Sequence, residues 1–472
     1  MAGGFEPSEF AREFQRFVTD MNRLVPARSS PVRQLLIEHL GRDPDDLPVL
    51  SEPLEAAEHP NVQLALDEMA AGDDWRIVGL SLGLRQYAAF SLGALATDRM
   101  ADWGYPSPRP MPVEYVNLPI GPDDSLPCAQ LALYLGTWQG TPLAVLVMAG
   151  DERSHFESRL TLEVLAPQQR AARELLDHVS RRRRALNVYR GQALSFAFTP
   201  HGRFRLDFLR MTPIERTQVV LPEADLVAIE EHTIGISAHA EALRASGRHI
   251  KRGLLLYGPP GTGKTWSVTY LRSRMAERTT VVINGGPGID GLGQAVALAR
   301  SLQPSMVVVE DVDLIAQERT MPGQGTNPLL FQLLNEMDGL GEDADVIFVL
   351  TTNRVDLLEP ALAMRPGRID QAVEIGLPDE ECRARLFELY LRDLPTLDAD
   401  IDFAPLIAAT HGVSAAFIKE LTRRAVLLAA VESGDRTTAP TVAARHLTQA
   451  LAALDSAAAP IRRTLLGARP TT

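Results

Sequence analysis

Residues 253–265 read GLLLYGPPGTGKT: an apolar run, Leu254 to Tyr257, breaks into Gly258, Pro259, Pro260, Gly261, Thr262, Gly263, Lys264 and Thr265. The run has the length and bulk of a buried strand. The glycines after it free the backbone to turn, so that successive N–H groups converge on one point at the start of a helix, and a phosphate fits that cradle. The Lys264 ammonium is suited to bridging the β- and γ-phosphates of ATP, and the Thr265 hydroxyl to binding Mg²⁺. The stretch predicts a strand, loop and helix that hold ATP with Mg²⁺. Loops of this kind are built on α/β folds with a doubly wound parallel sheet.

Two further strands follow. SMVVVEDVDLI, residues 305–315, is an apolar run that stops on Glu310 and Asp311. A strand ending in carboxylates after a phosphate loop is where P-loop enzymes hold Mg²⁺ and orient the attacking water, although the usual order is Asp before Glu. The plain alternative, a solvated strand end, is weakened by the loop upstream. VIFVLTTNRVDLLEPALAMRPGRID, residues 346–370, ends its strand on Thr351, Thr352 and Asn353 and runs into a loop bearing Arg365 and Arg368. An amide at that place can position the hydrolytic water, and exposed arginines can stabilise γ-phosphate charge in a neighbouring subunit. GPGIDG, with Gly286, Gly288 and Gly291, has dinucleotide spacing after TTVVIN. The sheet's phosphate site is already taken, and the acids beyond it are Glu310 and Asp311, so that reading is set aside.

With 472 residues, the chain is long enough for two or three domains. Its net charge of -13, from 47 basic and 60 acidic side chains, argues against broad attraction to nucleic acid or anionic lipid. Cys128 and Cys382 form no CxxC pair, which excludes a disulfide framework and suits a cytoplasmic setting. The N-terminus has no apolar core of signal-sequence length, and IVGLSLGLRQYAAFSLGALA carries Arg85 and Gln86 mid-run, so neither export nor a membrane span is expected. There is no HExxH motif among the ten histidines, and His232 and His239 read as ordinary helix residues.

Apolar spacing predicts a helical segment over 1–48, broken at Pro26 and Pro31, and an α+β client or adaptor domain over 49–212. In that domain AQLALYLGTW and TPLAVLVMAG read as strands joined at QGT, and PQQRAARELLDHVSRRRRAL reads as a helix with Pro167 in its first turn. Its basic end, Arg181 to Arg184, is either a phosphate patch or a set of cations at a helix C-terminus, and the acidic chain favours the latter. Strands and helices alternate over 213–377, helices alone fill 378–457, and 458–472 is a tail.

GPPGTGKT, LLNEMDGL, TTNRVDLLEPAL, RPGRID, LPDEE and GVSAAFIKELTRRA together resemble the AAA ATPases, in the family's order and spacing, over roughly half the chain. The resemblance implies a P-loop AAA module with a C-terminal helical lid, and a homo-hexameric ring that hydrolyses ATP to remodel, unfold or disassemble a protein client. By the same resemblance Asn353 is the first sensor, Arg365 and Arg368 are arginine fingers, and Asp338, Gly339 and Leu340 form the intersubunit signalling motif. Tyr390 stands where many relatives carry a ribose-proximal His, and Ala415 replaces a lid glycine. The Glu310–Asp311 order looks like that of the mitochondrial translocase of the Rieske iron–sulfur protein, without that branch's membrane anchor. Glu310 is then expected to reach the Mg²⁺ shell, and Asp311 to act one methylene shorter than the usual Glu. INGGPGIDGLGQAV offers Ile289 and Leu292 where threading relatives place an aromatic, and Ala363 and Met364 lengthen the finger loop by one residue. The alternatives are an ATP-gated scaffold with little turnover and a nucleic-acid-directed ATPase.

Overall fold

SMVVVE and VIFVLTT are apolar without alternation because a parallel strand covered on both faces has no solvent side. In the computed structural model they are central strands of one sheet. The structure describes residues 13–14, 16–17, 30–72, 74–81, 91–97, 108–149, 160–198, 204–284, 291–313, 328–339, 341, 344–356, 369–392, 401–434 and 437–455. Its chain divides into two compact units, Met1–Val188 and Tyr189–Thr472.

The first unit is built on α1 (Pro31–Leu40), β1 (Val49–Leu54), α2 (His59–Met69), β2 (Arg76–Ser81), α3 (Leu92–Thr97), β3 (Arg109–Met111), β4 (Tyr115–Pro119), β5 (Ser125–Ala129), β6 (Leu131–Trp138), β7 (Thr141–Met148), β8 (Leu160–Leu165) and α4 (Gln169–Ala185). Its antiparallel sheet runs β1-β8-β7-β6-β2-β3, and β4 and β5 pair separately. The expected β6–β7 hairpin closes through Gln139 and Gly140, both at positive φ (49° and 80°), as a two-residue turn that matches strand twist requires. One sheet face packs Val145 and Leu162 against Leu66 of α2 and Leu175 of α4, and the other packs Leu133 and Leu146 against Leu36 of α1 and Leu92 of α3. The helix expected as part of a separate segment over 1–48 is thus part of this core. Ser30 caps α1 by accepting the Arg33 N–H. Pro167 precedes the N-cap of α4, Gln168, rather than lying in its first turn.

The second unit begins earlier than position 213. β9 (Ala193–Phe198) and β10 (Phe204–Phe208), expected in the α+β domain, join the parallel sheet: β9 pairs with β12 (Thr279–Asn284), and β10 pairs antiparallel to β9. A linker and α5 (Glu223–Glu230) lead to β11 (Arg252–Tyr257), α6 (Lys264–Arg274), β12, α7 (Leu292–Ser301), β13 (Ser305–Glu310), α8 (Pro328–Asp338), β14 (Val346–Thr352) and β15 (Gln371–Glu374). Strand order is β10-β9-β12-β13-β14-β11-β15. β14 therefore separates β13 from β11, and Tyr257 lies level with Thr352 while Val309 lies level with Leu350. The helices α9 (Glu380–Leu391), α10 (Ala404–Ala409), α11 (Ala415–Ser433) and α12 (Ala444–Asp455) follow. Phe387, Phe417, Leu421 and Leu447 fill their common core. Asp379 caps α9 through the Cys382 N–H, Ser414 caps α11 through the Phe417 N–H, and Gly434 at φ 68° ends α11.

At the opposite end of the sheet from the strand C-termini, Arg278, 3% exposed, pairs with Asp345 at 2.6 Å and donates to Ser237, and Asp345 also pairs with Arg244 at 2.8 Å. Arg278→Ala leaves a buried carboxylate short of its partner. Urea unfolding of the variant is expected to show a loss of about 3–5 kcal/mol for the unit that contains the sheet.

Candidate active site

β11 delivers the chain to Gly258, whose φ of 146° and whose approach to Ile375 exclude a side chain: a Cβ there would lie 2.2 Å from the Ile375 carbonyl oxygen. Gly261 is similarly confined, because a Cβ would meet the Ala416 methyl at 2.9 Å. The Thr262 hydroxyl donates to the Pro259 carbonyl at 2.9 Å and fixes the loop from within. Lys264, 7% exposed, directs its amine back over the loop, to the Gly258 and Pro259 carbonyls at 2.9 and 2.8 Å. Burial pulls that amine down to about 8, against the opposing pull of the Asp311 and Asp313 carboxylates.

The Thr265 hydroxyl, at the start of α6, lies near the Glu310 carboxylate at the end of β13. Burial raises the Glu310 carboxyl above its ordinary range, the nearby Thr265 hydroxyl opposes this, and the Asp311 charge adds to it. A hydroxyl and a carboxylate converging beside a phosphate cradle form the all-oxygen donor set that suits Mg²⁺. Asp311 adopts φ 48°. Its N–H donates to the Thr351 hydroxyl at 3.1 Å, and its Oδ1 accepts from Asn353 Nδ2 at 3.1 Å. The two carboxylates thus face different partners: Glu310 the helix start, Asp311 the end of β14.

A cavity of about 470 Å³, of a size usual for small-molecule sites, opens over these groups. Pro260 to Thr265 line it, with Asp311, Thr351 and Asn353 on one side and Tyr390 and Ala415 on the other. The loop and the C-terminal helices meet directly, since the Ala416 N–H donates to the Gly261 carbonyl at 3.0 Å. Among the lining residues that escaped the reading of the sequence are Trp266 and Lys419. Trp266, 44% exposed, donates its indole N–H to Gln218 O at 2.9 Å, and the Lys419 amine lies 5.8 Å from its ring centre. An aromatic directly after the Lys264–Thr265 pair, at a helix start, was the available signal.

Arg365, Arg368, Leu340 and Ile289 lie outside the described residues, as do Gly286 and Gly288. Asp338 and Gly339 close α8. Arg354 pairs with Asp356 at 2.7 Å. Arg182 pairs with Glu68 at 2.7 Å and Arg183 with Glu58 at 2.9 Å. Among the described residues, no group of three or more His, Cys, Asp or Glu is set to hold a metal, and no helix is long and apolar enough to cross a membrane. Cys128 and Cys382 are buried free thiols.

Residues 254–377 match the model of the ATPase family associated with various cellular activities (AAA). This segment is an AAA domain. Similar proteins include the ATP-dependent zinc metalloprotease FtsH 4 of Sphaerobacter thermophilus, 34% identical over 264 residues, which span 52% of this chain and 39% of that one. The proteasome-activating nucleotidase of Methanopyrus kandleri is 37% identical over 208 residues, 41% of this chain and 47% of its own. The cell division cycle protein 48 homolog of Archaeoglobus fulgidus is 34% identical over 198 residues, 40% of this chain and 27% of its own. The chain thus spans half or less of the length of these relatives. The AAA domain and the helices after it form the α/β sheet module with its helical C-terminal region that the motifs predicted, and the α+β unit precedes them.

The pH dependence of the AAA domain's nucleotide affinity should follow Lys264. Its amine is charged below about 8 and neutral above, so the affinity of the nucleotide-free protein for ATP is expected to fall as pH rises through that value. Titrating a fluorescent ATP analogue from pH 6.5 to 9.5 measures this, and in Lys264→Arg the decline should disappear from that range, because Arg stays protonated throughout.

Proposed function

We propose that this chain is an AAA ATPase that hydrolyses ATP in a homo-hexameric ring and uses the energy to remodel, unfold or disassemble a protein client, as a cytoplasmic protein. The observation that carries the reading is the convergence of Lys264, Thr265 and the Asp311–Asn353 pair around one cavity at the C-terminal ends of β11, β13 and β14, with Glu310 beside Thr265. ATP would lie with its phosphates in the loop from Gly258 to Thr265, Lys264 against the β- and γ-phosphates, and its base and ribose toward Tyr390 and Ala415. Thr265 and Glu310 would hold Mg²⁺, which when bound neutralises charge on the phosphate oxygens. Asp311 and Asn353 would orient the attacking water. The water oxygen bonds to the γ-phosphorus as the bond to the bridging oxygen breaks, and Asp311 takes up the water's proton in transit to phosphate and solvent.

Arg365 and Arg368 are assigned to the site of the next subunit, which is the reason for a ring. Residues 189–377, with β9 and β10 extending the sheet, are assigned to the ATPase subdomain, 378–457 to the lid, and 1–188 to engagement of a client or adaptor. Relatives named as a proteasome-activating nucleotidase and an ATP-dependent protease support protein as the client class. The local pairing of Arg182 and Arg183 weighs against a nucleic-acid-directed ATPase.

ATP turnover measured across a protein concentration series tests the ring and the chemistry together. Specific activity is expected to rise cooperatively with concentration, to collapse in Glu310→Gln, and to fall on the order of 10³-fold in Arg368→Ala. Specific activity independent of concentration and of Arg368 would overturn the shared site. ATP binding without turnover would leave a nucleotide-gated scaffold.

A further inference from the structure

The loop after β13 holds a third carboxylate that does not face the cavity. Asp313 is 4% exposed and is absent from the cavity wall, to which Asp311, Thr351 and Asn353 all belong. Its Oδ1 accepts from the Thr352 hydroxyl at 2.9 Å and from the Asn353 N–H at 3.0 Å, and the Thr352 hydroxyl accepts in turn from the Arg354 N–H at 3.0 Å. With the bond from the Asp311 N–H to Thr351 and the bond from Asn353 Nδ2 to Asp311, three consecutive residues of β14 and its exit are tied to the loop after β13.

These bonds form a closed chain. Asp313 holds the backbone of Asn353, the side chain of Asn353 reaches Asp311, and the backbone of Asp311 is held by Thr351. A buried carboxylate is tolerated only where donors satisfy it, and Asp313 meets two of its donors on the residues that present the Asn353 amide. Without that anchor Asn353 has a free exit from the strand, and Asp311, at a backbone conformation uncommon outside glycine, loses the side-chain contact that aims its carboxylate.

We propose that Asp313 is a positioning residue for ATP hydrolysis: it fixes the backbone at Asn353 so that the Asn353 amide holds Asp311 toward the attacking water, without itself touching the nucleotide. This rests on the hydrolase reading above. It assigns to Asp313 a loss in the chemical step that is carried wholly through Asn353.

The test is a double-mutant cycle on the full-length protein, with kcat and KM for ATP and equilibrium binding of a fluorescent ATP analogue. Asp313→Asn, which keeps the shape of the side chain, is expected to lower kcat by about 10- to 100-fold. Analogue affinity should stay within about twofold of wild type, which also reports that the variant is folded. Thr352→Val, which removes one of the two donors to Asp313 together with the acceptor of the Arg354 N–H, should give a smaller loss in the same direction. In an Asn353→Ala background, Asp313→Asn should cost nothing further. Multiplying losses would overturn the route through Asn353, and analogue affinity falling in step with kcat would make Asp313 a support of the phosphate loop instead. Unchanged kcat in Asp313→Asn beside an active wild type would overturn the positioning role alone. A wild type that binds the analogue without turnover would overturn the hydrolase reading and this role with it.

Discussion

The parallel pairing of β14 with β13 on one side and β11 on the other sets the positions on which the site depends. Tyr257 is level with Thr352, and Val309 with Leu350, so the phosphate loop, the carboxylates and Asn353 leave the sheet at nearly the same height. The backbone ladder therefore brings together three stretches far apart in sequence. A slip of one residue would turn every side chain of the shifted strand to the other face. Burial prevents such a slip: Val307, Val309, Phe348 and Leu350 are all fully enclosed, and turning them would exchange two packed layers at once.

Within that frame, the reversed order of the carboxylates has a backbone explanation. Asp311 lies at φ 48°, a region that costs most L-residues roughly 1–2 kcal/mol and that Asp and Asn enter most readily. A short carboxylate at 311 accordingly suits a turn that a longer side chain would enter less easily. Glu310, still on the strand, has the length to reach toward the Thr265 hydroxyl at the start of α6. The exchange of Asp for Glu thus divides two tasks between two side chains by reach and by backbone conformation.

The strand, loop and helix around Lys264, the two downstream strands and the helical C-terminal region were legible because each is a local pattern: apolar runs, glycines where positive φ is needed, polar residues at strand ends. The β6–β7 hairpin was legible from Gln139–Gly140 for the same reason. The edge hairpin β9–β10 was not, since ALSFAF and FRLDF carry no sign of which sheet they will extend, and both lie beyond the basic helix that looks like part of the first domain. Ser30 to Leu40 read as a separate preface because its partners, Leu133 and Leu146, are distant in sequence. At the site, Trp266 was passed over because its role lies in contacts to Gln218 and Lys419 that no spacing rule reports.

The measurement nearest to the central claim is a single-turnover experiment with trace labelled ATP and excess protein, comparing wild type with Asp311→Asn. Conversion of bound ATP to ADP by wild type, with Asp311→Asn holding ATP intact at undiminished affinity, is the expected result. Equal rates of conversion in the two proteins would contradict it, because the water would then be oriented by something other than Asp311.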